Sequence, residues 1–228
     1  NRVLDIIQKD ISPERVAILT GPGNNGGDGH ALARLLATNK IDTVTISTVP
    51  GDKLSPDART NFNISGKCGF PIISSEDLED HQISDILNSS DLVVDALLGT
   101  GSRGHPRGEI ARLIQLVTGC SVPVLSMDIP SGINPDTGEV FSPCIRADIT
   151  VSMLVAKTGL LVTPAAEYVG KLNVVNIGVP PGLILHSDPR AFSIDRKFCS
   201  DRLPARGMNI HKGLRGCVLI AGGSRSYK

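Results

Sequence analysis

The sequence predicts an α/β fold, a three-layer sandwich around a mostly parallel sheet. Two observations carry this. First, the apolar runs are short and continuous rather than alternating, as expected for strands buried on both faces by helices. They are VAILT (16–20), TVTIST (43–48), LVVDALL (92–98), VPVLSMDI (122–129), ITVSMLV (149–155) and LNVVNI (172–177). Second, helical periodicity lies between them, and strand–helix–strand succession implies right-handed parallel crossovers.

The opening residues NRVLDIIQKD carry Val3, Leu4, Ile6 and Ile7 as one apolar stripe and read as the middle of a helix. With no initiator Met before them, the natural N-terminus is expected upstream. Strand 16–20 runs into a glycine-rich turn. A helix is expected from Asp28 to Asn39, with Leu32, Leu35 and Leu36 on one stripe. A shorter one is expected over Ile83–Leu87, and another over Glu109–Val117, where Ile110, Leu113, Ile114 and Val117 recur at helical spacing. After strand 172–177 the run GVPPGLI stops the pattern. The reading divides the chain into a first domain over 1–185, a polar linker over 186–210, and a last piece over 211–228. That piece holds one apolar strand, 217–221, and a single strand cannot form a domain.

Composition narrows the function. The chain has 228 residues, with 23 Lys plus Arg against 23 Asp plus Glu. A zero net charge argues against a general nucleic-acid or anionic-membrane binder. Aromatics are 3% with no Trp, which disfavours base-stacking platforms. No apolar run approaches the ~18 residues of a membrane span. Cysteines stand at 68, 120, 144, 199 and 217, an odd count without CxxC spacing. Disulfides and zinc are therefore not expected, and a reducing, cytoplasmic setting is.

Ligands of open parallel sheets bind beyond the carboxyl ends of the strands. Three loops there carry the candidate chemistry. The first is Gly21-Pro22-Gly23-Asn24-Asn25-Gly26-Gly27-Asp28-Gly29. Its glycines let backbone N–H groups approach an anion at a helix start. A tight strand-to-helix turn accounts for the glycines alone, but not for Asn24, Asn25 and Asp28 among them. The second runs Asp95-Ala96-Leu97-Leu98-Gly99-Thr100-Gly101-Ser102-Arg103-Gly104-His105. Asp95 interrupts an apolar strand, where a carboxylate is expensive unless capped or paired. Arg103 and His105 are candidate phosphate contacts, and Arg103 reads equally well as a solvated loop residue. The third is Ser126-Met127-Asp128-Ile129-Pro130-Ser131-Gly132. Asp128 at a strand end is often only an Asx-turn residue. A second carboxylate on the edge that holds Asp95 favours either a cation between them or one raised pKa. Asn25, Asp95 and Ser131 offer only oxygens, which suits a hard cation. Lys157 is the one Lys in the apolar stretch 149–162. It reads as a ligand contact or as a snorkelling strand-end residue.

An NAD-dependent dehydrogenase fails a specific check. The dinucleotide fingerprint needs an acid at the end of the second strand. Here that strand ends Ser47-Thr48-Val49-Pro50, and Asp52 lies beyond Pro50 and Gly51. A dinucleotide ligand survives, without the usual binding mode.

GPGNNGGDGHALARLL, VDALLGTGSRG, SMDIPSGINPDTGEV, ADITVSMLVAKTGLL and GKLNVVNIGVP stand in this order. Together they resemble the N-terminal YjeF domain, the NAD(P)H-hydrate epimerase family, over about residues 1 to 183. The closing HKGLRGCVLIAGGSRSY resembles the start of an ADP-dependent NAD(P)H-hydrate dehydratase domain, a ribokinase-like module. The resemblance implies a Rossmann-like fold and the first part of a bifunctional repair enzyme. Its implied activity is interconversion of the R and S forms of hydrated NADH and NADPH (NADHX and NADPHX), with the S form passed to the dehydratase. It implies a substrate loop over Asn24, Asn25, Gly26, Gly27 and Asp28, and a second over Gly99, Thr100, Gly101, Ser102, Arg103, Gly104 and His105. It implies Asp128 as the catalytic and substrate-contacting carboxylate, with Lys157 beside it. It implies potassium on Asn25, Asp95 and Ser131. It leaves room for a homo-oligomer. The other reading, a non-catalytic nucleotide- or protein-binding module of this type, is disfavoured by the presence of Asp128.

Overall fold

The computed structural model describes residues 2–186, 194, 196–203 and 219. The chain divides into two compact units, Asn1–Ile184 and Leu185–Lys228. In the second unit the described residues include one short helix, α7 (Arg196–Ser200). The expected strand 217–221, apart from Leu219, and most of the expected linker lie outside the described residues.

The first unit is built on seven strands: β1 (Arg15–Thr20), β2 (Asp42–Ser47), β3 (Ile72–Ser74), β4 (Leu92–Ala96), β5 (Val124–Met127), β6 (Ile149–Met153) and β7 (Lys171–Val175). Their order is β3-β2-β1-β4-β5-β6-β7, and every pairing is parallel. The helices are α1 (Arg2–Asp10), α2 (Asn24–Thr38), α3 (Pro56–Lys67), α4 (Asp80–Asn88), α5 (Gly108–Thr118) and α6 (Pro181–His186).

Alternation along the buried strands sorts the core into two layers. Val16 and Ile18 of β1 face α1 and α2, which contribute Val3, Leu4, Ile7, Leu32, Ala33 and Leu36. Ala17 and Leu19 face the other way, onto Ile83 and Leu87 of α4 and Leu113, Ile114 and Val117 of α5. A third cluster, Ile129, Ile133, Leu160, Ala165 and Val169, packs the long connections around β6. Burying a Leu or Ile side chain is worth roughly 1.5–3 kcal/mol, so these clusters supply the main drive for folding.

Three details differ from the sequence expectation. Helix α2 begins at Asn24, so the glycines of GGDG lie inside its first turns rather than before them. Helix α3, capped by Ser55 with Pro56 at its first position, was not expected; its sequence PDARTNFNISGK has no clear apolar stripe. Strand β3 has only three residues, all partly buried.

The chain steps outward from β1 to β2 and β3, then returns to β4 on the other side of β1. The loops after β1 and β4 therefore leave in opposite directions, which opens a crevice between them at the carboxyl edge.

Candidate functional site

That crevice is a cleft of about 690 Å³. Its walls come from the loop after β1 with the start of α2 (Gly23, Asn24, Asn25, Asp28), from the loop after β4 (Leu97 to Ser102), and from Asp128, Met153 and Ile177. The three loops expected on one edge thus meet, and a smaller chamber of about 380 Å³ adjoins them, sharing Asp28, Met153 and Ile177.

Close backbone approach shapes the first loop. A Cβ on Gly21 would stand 1.8 Å from the Leu97 carbonyl oxygen, and one on Gly26 would stand 2.0 Å from the Gly21 carbonyl oxygen. Only glycine lets β1, β4 and α2 crowd together there. Gly26 and Gly27 are buried in the helix and do not line the cleft. Asn24 stands at the surface, its Oδ1 accepting a hydrogen bond from Ser55 Oγ at 2.7 Å.

Asn25 is buried. Its Nδ2 donates to the carbonyl oxygens of Leu98 (2.9 Å) and Met127 (3.1 Å), tying the first loop to the second and third. Its Oδ1 is buried with no partner. Asp95 is fully buried at the end of β4. Ser131 donates to it twice, from Oγ at 2.6 Å and from its backbone N–H at 2.9 Å. Ser126 Oγ (2.8 Å) and the Leu97 N–H (3.2 Å) complete the set. Ser131 Oγ also accepts from the Leu98 N–H at 2.9 Å. Asn25, the Leu98 peptide, Ser131 and Asp95 therefore form one hydrogen-bonded chain. Burial raises the Asp95 pKa, and its hydrogen bonds with Ser131, Ser126 and Leu97 oppose that rise. The Cys144 thiol is pushed up to about 12 by burial and by the nearby Asp95 charge.

These donors fit a hard monovalent cation. All are oxygens, Asn25 Oδ1 is unpartnered, and the Asp95 charge is met only by neutral donors. Asp95 already accepts four hydrogen bonds, so it would act through its charge rather than through a vacant lone pair. Among the described residues no group of three or more His, Cys, Asp or Glu side chains is placed to hold a metal.

Asp128 follows β5 with φ at 67°, a left-handed conformation that Asp tolerates better than most side chains. The turn aims its carboxylate into the cleft. Lys157 Nζ donates to Asp128 Oδ1 and also to Met153 O (2.9 Å) and Ser152 Oγ (3.1 Å). The Met153 N–H reaches the same Asp128 oxygen at 3.3 Å. Both members of the pair are largely shielded, with 16% and 14% of their side-chain surfaces exposed. Asp28 is open to the cleft. The surrounding protein withdraws water from it, and this, with the Asp128 charge second, raises its pKa.

In the second loop, Gly99, Thr100, Gly101 and Ser102 line the cleft. Arg103 and His105 are not among its lining residues. Arg103 donates to the carbonyls of Thr100 and Ser102 (both 2.8 Å) and pairs with Asp136 at 3.3 Å. His105 Nδ1 accepts from the Ser142 N–H at 3.2 Å, and its ring packs on Phe141. Gly104 takes φ 74°, which turns the chain between these two anchors. Sequence reasoning missed Ser126 and Ser152, the hydroxyls that serve Asp95 and Lys157. Each interrupts an apolar strand, the same signal that singled out Asp95.

The family described as YjeF-related protein N-terminus matches residues 1–159. A bifunctional NAD(P)H-hydrate repair enzyme of Thermanaerovibrio acidaminovorans is 40% identical over 216 residues, 93% of this chain and 41% of its own length. One from Moorella thermoacetica is 36% identical over 228 residues, 98% of this chain and 43% of its own. An NAD(P)H-hydrate epimerase of Pirellula staleyi is 35% identical over 175 residues, 76% of this chain and 77% of its own. The chain thus spans about two fifths of the bifunctional relatives. The crystal structure of the yeast protein ynu0 (YNL200c) shares the fold, with a TM-score of 0.62 at 22% identity, covering 79% of this chain and 73% of that one.

Proposed function

The chain belongs to the YjeF-related N-terminal family, and from that premise we propose that its cleft interconverts the R and S forms of hydrated NADH and NADPH. The observation that carries this reading is the Asp128 carboxylate, shielded, bound to Lys157, and turned into a glycine-walled cleft at the switch point of the sheet. The reacting carbon, C6 of the reduced nicotinamide, bears a hydroxyl and the ring nitrogen. Inversion requires the hydroxyl to leave as water and return on the other face, or the ring to open and reclose. Either route needs a proton delivered and a proton recovered within hydrogen-bond reach. Lys157 orients Asp128 and balances its charge. The backbone of Gly99 to Ser102 and the start of α2 offer N–H groups and a positive helix end to the diphosphate. Gly26, Gly27, Arg103, Gly104 and His105 then act by shaping and anchoring the loops.

Potassium held by Asn25 Oδ1, Ser131 and the Asp95 charge belongs to the same reading. When bound, the ion supplies a fixed positive charge that offsets the buried carboxylate and joins the three loops. The name of the Pirellula relative supports the epimerase activity. The names of the bifunctional relatives support a second NAD(P)H-hydrate repair activity in the same protein, which we read as the dehydratase that takes the S form. We read the setting as reducing and cytoplasmic from the odd cysteine count without CxxC spacing. No helix among the described residues is long and apolar enough to cross a membrane. The test is direct: purified R-NADHX is incubated with the protein, and formation of the S epimer is followed by chromatography.

A further inference from the structure

Two carboxylates open into the cleft, and their surroundings differ. Asp128 is bound by an ammonium and a backbone N–H. Asp28 takes no hydrogen bond or ion pair among the described residues, although it stands where the 690 Å³ cleft meets the 380 Å³ chamber. The two arrive from different layers, Asp128 from the end of β5 and Asp28 from the first turns of α2. A substrate ring lying across the strand ends therefore meets one carboxyl group from the sheet and one from the helix.

We propose that Asp28 is a second catalytic residue of this cleft, the proton donor that works opposite Asp128, so that C6 is served from two sides. The inference rests on the epimerase reading. In one direction the Asp28 carboxylic acid gives its proton to the C6 hydroxyl oxygen. The C6–O bond breaks, its electron pair leaves with water, and the lone pair of the ring nitrogen forms the C=N bond of an iminium. A water molecule on the other face then bonds to C6 and gives one proton to the Asp128 carboxylate, and the C=N π pair returns to nitrogen. One water leaves, one enters, and the pair of carboxyl groups keeps a single proton throughout. The reverse direction uses the same steps with the roles exchanged.

Environment agrees with this division. Burial first, and the Asp128 charge second, raise the Asp28 pKa, whereas Asp128 accepts from the Lys157 ammonium. A carboxyl group with a raised pKa beside one held by an ammonium is the arrangement expected of an acid and base pair. The charged groups facing Asp28 are Asp128 at the end of β5, with Lys157 behind it, and Arg2 of α1, which lines the chamber. The positive end of α2 opposes the rise. The anionic diphosphate of a bound dinucleotide reinforces it.

The test compares wild-type protein with Asp28→Asn and Asp28→Glu, using R- and S-NADHX in heavy-oxygen water. Asp28→Asn should slow both directions by about 10²–10⁴-fold while changing KM by less than about threefold. The alkaline limb of the wild-type rate profile should vanish with it, and Asp28→Glu should restore part of the rate and that limb. Each inversion should incorporate one solvent oxygen. A rate for Asp28→Asn within about threefold of wild type, or an unchanged alkaline limb, overturns the assignment. Retention of the substrate oxygen overturns the two-sided exchange. A wild-type protein that epimerises neither substrate sinks the epimerase reading itself, and the assignment with it.

Discussion

Lys157 holds Asp128 from behind: its ammonium donates to Asp128 Oδ1 and is fixed in turn by Ser152 Oγ and the Met153 carbonyl. The pair joins the end of β5 to the segment after β6, two of the places where the sequence breaks an apolar run with a charge. Replacing Lys157 with Met leaves Asp128 partly buried beside Asp28 without a cation. The anchor that fixes Asp128 Oδ1 is then lost, and kcat falls by about 10²-fold with KM changed by less than about threefold. Steady-state rates for wild type and Lys157→Met check this, and a kcat within about threefold of wild type would remove Lys157 from the mechanism.

Asp95 stands in the most demanding environment of the unit, with four donors around a fully buried carboxylate. Asp95→Ala leaves Ser126, Ser131 and two backbone N–H groups short of partners. Each unsatisfied buried donor costs roughly 1–3 kcal/mol, so a large drop in melting temperature is expected. If potassium binds here, the drop is larger in potassium buffer than in buffer free of monovalent metal ions. Melting curves in both buffers decide it, and equal shifts in the two would show that no ion depends on Asp95.

His30 makes stability depend on pH. Its ring is fully buried between α2 and α3, edge-on to Phe62, and neither nitrogen has a partner. Burial first, and the Arg34 charge second, lower its pKa from 6.5 to about 4. The unfolded chain therefore binds a proton that the folded one refuses. Stability is complete above about pH 6.5 and falls as the pH drops toward 4, by about 3 kcal/mol in all. His30→Leu should flatten this window in denaturant titrations at several pH values. Parallel losses in variant and wild type would clear His30.

The first compact unit ends at Ile184. A chain ending at about Ser187 should melt within a few degrees of the full chain and epimerise at a similar rate. Melting temperature and R-to-S rate measure this. A large loss of either would place residues beyond 187 in the working unit.

What the sequence made legible was chemistry out of place. Asp95 in an apolar strand, Lys157 in an apolar stretch and Asp128 closing a third strand were visible because burial makes charge costly. Lys157 and Asp128 meet, Asp95 ties the second loop to the third through Ser131, and the three loops form one cleft. The glycine run misled the boundary of α2. Glycine is a poor helix former, and close approaches explain it inside the helix: a Cβ would stand 2.0 Å from the Gly21 carbonyl oxygen at Gly26, 2.8 Å from Ala58 at Gly27 and 2.8 Å from Ala96 at Gly29. Helix α3 escaped because it packs on α2 through small contacts such as Ala58 against Gly27, not through an apolar stripe. The orientation of Arg103 and His105 depends on Asp136 and Ser142, more than thirty residues away in sequence, and no local pattern encodes that.

In the proposed function Asp128 moves a proton at C6 in a cleft that epimerises hydrated nicotinamide dinucleotides. The most direct measurement is the R-to-S conversion rate of NADHX by wild type and by Asp128→Asn, with dinucleotide affinity measured for both. Wild type should turn over, and the variant should lose about 10²–10⁴-fold in rate at nearly unchanged affinity. A variant within about threefold of wild type, or a wild type without turnover, would contradict it.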